Sequence, residues 1–149
     1  MTGCATVLLA EDDPDDVLLT QIAFERARLV NPLQVVRDGE EAIAYLKGEG
    51  DFADRTRFPF PILLLLDLKM PKVDGFQVLA WLKSQPQGLQ LPVAIMTSSD
   101  QDPDINRAHG LGADSYLIKP PNAMTLLELV QRIHGHWLIV DAAAEYHAA

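Results

Sequence analysis

Short apolar runs alternate along this chain with segments of helical period, a pattern that predicts βα units wound about a parallel sheet. Five runs read as strands, at residues 6–10, 33–36, 62–66, 93–96 and 115–118. The third, Ile62-Leu63-Leu64-Leu65-Leu66, shows no polar alternation, as a central strand covered by helices on both faces requires. Local start signals place the helices: Asp13-Pro14 before the first, Asp38-Gly39 before the second, Asp102-Pro103 before the fourth and Asn122 before the fifth. In the fifth, Leu126, Val130, Ile133 and Trp137 fall at i, i+4, i+7 and i+11, one stripe that can pack on the sheet. Residues 48–61, rich in Gly, Pro and charge, exceed the usual connection length and read as an extended surface loop. The expected architecture is α/β: a five-stranded, doubly wound parallel sheet in a single domain over 1–137, with a C-terminal tail over 138–149.

Composition narrows the picture. A chain of 149 residues suits one such domain and leaves no room for a separate output domain. A hydrophobic content of 48% is enough for a packed core. The formal net charge is -9 and the sequence pI about 4.7, with Lys and Arg scattered, which argues against direct nucleic-acid binding. The lone Cys4 has no intramolecular partner and fits a reducing compartment. The start Met1-Thr2-Gly3-Cys4 has neither the basic region of a signal peptide nor an apolar stretch long enough for a membrane span, so a cytoplasmic location is expected.

Candidate chemistry gathers at the carboxyl ends of the strands, where open α/β sheets place their sites. Glu11, Asp12 and Asp13 follow the first strand, Asp67 the third, Thr97 and Ser98 the fourth, and Lys119 the fifth. Crowded carboxylates repel unless a cation joins them, and their hard oxygens suit Mg²⁺. Taken singly, Asp13 reads as a helix cap, Thr97 as a loop hydroxyl and Lys119 as a solvated cation. Their convergence on one sheet edge makes the combined reading the stronger one.

The segments Leu8-Leu9-Ala10-Glu11-Asp12-Asp13, Leu66-Asp67-Leu68-Lys69-Met70-Pro71 with Asp74-Gly75, Met96-Thr97-Ser98, and Tyr116-Leu117-Ile118-Lys119-Pro120, in this order, resemble the receiver domains of two-component response regulators over nearly the whole chain. That resemblance implies a flavodoxin-like receiver fold with Asp67 as phospho-acceptor. It implies Asp12 as a direct Mg²⁺ ligand, Glu11 supporting the metal through water, and the Lys69 carbonyl as a backbone ligand. Thr97, Ser98 and Lys119 would hold phosphoryl oxygens, Thr97 and Tyr116 would form the switch, and Lys69 and Ser99 would tune hydrolysis. The output surface would be the fourth helix, fifth strand and fifth helix. No enzymatic turnover is implied beyond Mg²⁺-dependent self-phosphorylation and autodephosphorylation. Family members typically have a cis Lys-Pro peptide at the position of Lys119-Pro120, and Pro121 after it departs from the pattern.

Physical chemistry supports the same roles. A carboxylate is a weak nucleophile toward phosphorus, so the site must align it and neutralise charge on the phosphoryl oxygens. Other classes fit less well. A flavin binder needs a phosphate-holding loop after the first strand, which Glu11-Asp12-Asp13-Pro14-Asp15-Asp16 would repel. A haloacid-dehalogenase-type phosphatase expects an acid two residues after the nucleophile, where Lys69 stands. A phosphorylation-independent receiver usually loses an acid, the acceptor or the lysine, and all three are present.

A narrower likeness lies in Asp54-Arg55-Thr56-Arg57-Phe58-Pro59 and in His136-Trp137-Leu138, which resemble the single-domain regulators paired with bacterial and cyanobacterial phytochromes. The implied partner is a phytochrome histidine kinase; the alternatives are another histidine kinase or a histidine phosphotransfer protein. Finally, Trp137-Leu138-Ile139-Val140 is an apolar run that one helical stripe cannot absorb, which predicts a two-fold homodimer with the tail reaching across.

Overall fold

The computed structural model describes residues 6–85, 91–98 and 103–132. In chain order the elements are β1 (Val7–Ala10), α1 (Pro14–Arg26), β2 (Leu33–Val36), α2 (Gly39–Lys47), a 3-10 turn (Gly50–Phe52), β3 (Leu63–Asp67), α3 (Gly75–Lys83), β4 (Val93–Thr97), α4 (Asp104–Gly110), β5 (Ser115–Ile118) and α5 (Ala123–Arg132). The strands form one parallel sheet in the order β2-β1-β3-β4-β5. That is the doubly wound arrangement expected of the apolar and helical alternation.

Strand alternation divides the core into two layers. Leu8, Leu64, Leu66, Val93 and Ile95 face one way, joining Ala42, Tyr45, Leu46, Val78, Leu79 and Ile105 from α2, α3 and α4. Val7, Leu9, Leu63, Leu65, Ala94 and Met96 face the other way, against Val17, Ala23 and Phe24 of α1 and Leu126 of α5. The unbroken leucine run of β3 thus serves both layers, which is why it has no polar alternation. β3 lies between β1 and β4, with Ala10 opposite Leu66 and Asp67 opposite Met96.

Capping chemistry sets the helix starts. Asp13 accepts from the Asp15 amide at 2.9 Å, with Pro14 opening α1. Asp38 accepts from the Glu41 amide at 2.7 Å. Asp74 and Gln77 form a reciprocal capping box at the start of α3. Asn122 accepts from the Thr125 amide at 3.0 Å ahead of α5. Asp102 lies outside the described residues, and α4 opens at Asp104 after Pro103.

Three differences from the sequence reading have physical causes. β3 and β4 each run one residue further than expected, so Asp67 and Thr97 are the last residues of their strands rather than the first of the loops. Polarity suggested a strand end at each, whereas the ladder continues through their backbones. The third difference lies within the 48–61 segment, which runs over the surface with most residues exposed but turns two aromatic side chains inward. Phe52 and Phe58 lie partly buried against the fully buried Tyr45, at ring-centroid distances of 5.1 and 6.0 Å from it and 5.3 Å from each other. Arg55 donates to the Leu46 and Phe58 carbonyls at 2.8 and 2.9 Å, and the Tyr45 hydroxyl donates to the Pro59 carbonyl at 2.9 Å.

Leu126 of the predicted α5 stripe is buried. The Val130 side chain, Ile133, Trp137, Cys4, Ser99 and the 138–149 tail lie outside what is described. Among the described residues no helix is long and apolar enough to cross a membrane.

Candidate functional site

At the carboxyl edge of the sheet a cleft of about 270 Å³ is lined by residues from four strand ends, including Glu11, Asp12, Asp67, Lys69, Thr97, Ser98 and Lys119. Backbone bonds hold each strand end in place. The Glu11 amide donates to the Val36 carbonyl at 2.9 Å, continuing the β1-β2 ladder past the strand. The Lys119 amide donates to the Thr97 carbonyl at 2.7 Å, locking the end of β5 beside that of β4. The Lys119-Pro120 peptide is cis, as the family pattern implied, with Pro121 buried behind it. The loop after β3 is closed by the Gly75 amide donating to the Leu68 carbonyl at 3.0 Å.

Within this frame Lys119 Nζ lies 2.8 Å from Glu11 Oε1, 3.2 Å from Asp67 Oδ2 and 3.3 Å from Asp16 Oδ2. Glu11 is fully buried and Asp67 nearly so. The Lys69 amide donates to Asp67 Oδ1 at 3.1 Å, and the Asp13 amide to Glu11 Oε2 at 3.1 Å. Glu11 Oε1 receives no hydrogen bond of regular geometry and depends on the ammonium beside it. Burial pushes the Glu11 carboxyl up from 4.5 to about 7, against the lowering pull of Lys119. Burial also works against charge on Lys119, but Glu11 and Asp67 outweigh it and raise the lysine above its usual range.

Asp12 is exposed at the mouth of the cleft. One carboxylate oxygen from each of Glu11, Asp12 and Asp67 can be chosen so that all three lie within 4.8 Å of one another. Three hard oxygen donors, one on a buried and incompletely satisfied carboxylate, fit a divalent cation. Lys69 and Ser98 are exposed on the cleft wall, and Thr97 is buried at the end of β4. Tyr116 is half-buried on the layer shared with α4.

Sequence reasoning passed over Asp16. It looked like one more acid in the first turn of α1, where the helix N-terminus favours negative charge. No local signal marked it, because its partner Lys119 lies 103 residues away in sequence.

The receiver-domain profile of response regulators matches residues 7–131. Response regulator Rcp1 of Synechocystis sp. is 36% identical over 132 residues, spanning 89% of this chain and 88% of that protein. Its Mn(2+)-bound crystal structure aligns over 90% of this chain and 94% of its own, at 35% identity and a TM-score of 0.70. The bacteriophytochrome response regulator AtBRR aligns over 93% and 98% at 36% identity and a TM-score of 0.81. The phosphorylated cyanobacterial phytochrome response regulator RcpA aligns over 91% and 94% at 36% identity and a TM-score of 0.72. With its sheet order, its acidic cleft and these likenesses in agreement, the chain belongs to the response regulator receiver domain family.

Proposed function

We propose that this receiver accepts a phosphoryl group on Asp67 from the phosphohistidine of a histidine kinase, with Mg²⁺ held by Asp12, Asp67 and the Lys69 carbonyl and supported by Glu11 through water. One observation carries the reading: a single ammonium bridges the nearly buried Asp67 and the buried Glu11 in a cleft whose acids can also gather around a cation. When bound, Mg²⁺ supplies positive charge to the oxygens of the transferring group. Asp67 attacks phosphorus through a carboxylate oxygen; the O–P bond forms as the N–P bond to the donor imidazole breaks, and the electron pair stays on that nitrogen. Lys119, the Thr97 hydroxyl and the Ser98 amide neutralise the phosphoryl oxygens. The side chains of Lys69 and Ser99 tune hydrolysis, and Thr97 with Tyr116 relays the new charge to the α4-β5-α5 surface.

A phytochrome kinase is the favoured donor, because Rcp1, AtBRR and RcpA, two of them phytochrome regulators by name, resemble this chain over nearly their whole lengths. The exposed Ile118 of β5 and Met124 of α5 suit a contact surface on that side of the molecule. The test is incubation with acetyl phosphate and Mg²⁺ followed by mass mapping. A single phosphoryl group on Asp67, lost in Asp67→Asn, is the expected result. Stoichiometric labelling of Asp67→Asn at any site overturns the assignment.

A further inference from the structure

We propose that Asp16 is a positioning residue of this site: it occupies one N–H of Lys119, and it is the partner that the ammonium releases when a phosphoryl group reaches Asp67. The inference deepens the function proposed above and rests on it.

An ammonium carries three donors. Lys119 Nζ faces three carboxylates, Glu11 at 2.8 Å, Asp67 at 3.2 Å and Asp16 at 3.3 Å, with regular hydrogen-bond geometry to Asp16, so the ammonium is ringed by as many anions as it has donors. A phosphoryl oxygen can then gain the lysine only if one of these contacts is given up. The three are not equivalent. Glu11 is wholly buried, and removing the ammonium would leave Oε1 without compensation. The Asp67 contact passes to the phosphoryl group as the carboxylate is esterified, so any further phosphoryl oxygen that reaches the ammonium must displace Glu11 or Asp16. Asp16 has a side chain 22% exposed and the longest of the three contacts, so water can replace the lysine there at least cost. It also stands outside the Glu11, Asp12 and Asp67 group, so a cation held by those acids leaves the Asp16 charge in place.

Its neighbour Asp15 is exposed and already satisfies the preference for acid at a helix start. Asp16 instead reaches a partner 103 residues away in sequence. In doing so it ties the first turn of α1 to the end of β5. Its charge opposes the arriving anion and keeps a lysine donor occupied, so it slows loading. Neutralising it frees that donor.

The experiment follows transfer from acetyl phosphate to Asp67 in the full chain at saturating Mg²⁺. One P–O bond forms at the carboxylate, another breaks, and acetate leaves with the electron pair. Initial rates are read by intact mass for the wild type, Asp16→Asn and Asp16→Glu. Affinity for beryllofluoride, a non-transferable phosphoryl mimic, is read by calorimetry. Asp16→Asn should accelerate labelling roughly threefold or more, the scale of a partly exposed ion pair, and bind the mimic more tightly. Asp16→Glu, which keeps the charge, should stay near the wild type in both. An Asp16→Asn rate equal to or below the wild type overturns the role of Asp16. So does an Asp16→Glu protein that behaves like Asp16→Asn, since shape rather than charge would then be responsible. If the wild type itself is not labelled, the proposed function fails and takes this inference with it; labelled wild type with unaccelerated Asp16→Asn sinks the inference alone.

Discussion

Glu11 shows how one buried side chain couples the site to pH. Its carboxyl is raised from 4.5 to about 7, chiefly by burial, so the folded protein binds that proton more tightly than the unfolded chain. The contribution to stability is therefore fully present below about pH 4.5 and is lost as pH rises toward 7. Metal-free protein should melt at a lower temperature at pH 8 than at pH 5, and Glu11→Gln should flatten that fall. Identical slopes for the two proteins in calorimetric scans would remove Glu11 as the cause. Adding Mg²⁺ at pH 8 should restore part of the loss in the wild type, because a cation rewards the ionised form. Most of this cluster was legible from residue type alone, since acids and a lysine at successive strand ends have little reason to converge other than charge chemistry. Asp16 was not legible, because helix-start acids are commonplace and its partner is remote in sequence.

At the level of elements, the loop after β3 is shaped by close backbone packing. A Cβ added to Gly75 would lie 2.6 Å from the Leu68 Cα and 2.7 Å from the Asp67 carbonyl oxygen. Neither backbone atom can swing aside as a flexible side chain would. Gly75→Ala should cost roughly 1–3 kcal/mol and also slow acceptance at Asp67, because the relief must come from moving the strand end that carries it. Urea titration and acetyl phosphate labelling check the two effects; a variant with wild-type stability would refute the contact. The strands and helix starts could be read from apolar runs and capping residues because those signals are local. The packing of 48–61 could not, since Tyr45, Phe52 and Phe58 belong to three different segments and meet only in the fold. Phe58→Ala should cost roughly 1–3 kcal/mol while labelling of Asp67 stays near wild type. A fall in labelling as steep as that from Gly75→Ala would show that the loop reaches the site.

For the whole molecule, the exposed apolar side chains of β5 and α5 bear on assembly. The proposed two-fold homodimer uses the α4-β5-α5 surface, with residues 138–149 reaching the partner; what supports it is the apolar run Trp137-Leu138-Ile139-Val140 in the sequence, together with the exposure of Ile118 and Met124 on that surface. Light scattering at micromolar concentration should give twice the chain mass for the intact protein and a shift toward the monomer after deletion of 138–149. An intact chain running as a monomer eliminates the dimer, and a truncated chain that stays fully dimeric eliminates the part given to the tail.

The clasp of Tyr45, Phe52, Phe58 and Arg55 has a mechanical consequence. It closes the passage from α2 into the start of β3, at the end of the sheet away from the acidic cleft. On the far flank β5 has β4 as its single neighbouring strand. Charge delivered at Asp67 therefore acts on a body pinned at the corner that the clasp closes, as a force acts on a lever with a fixed fulcrum. Displacement should collect on the β5 side, so probes there would register loading while probes on the clasp stay silent and serve as an internal standard.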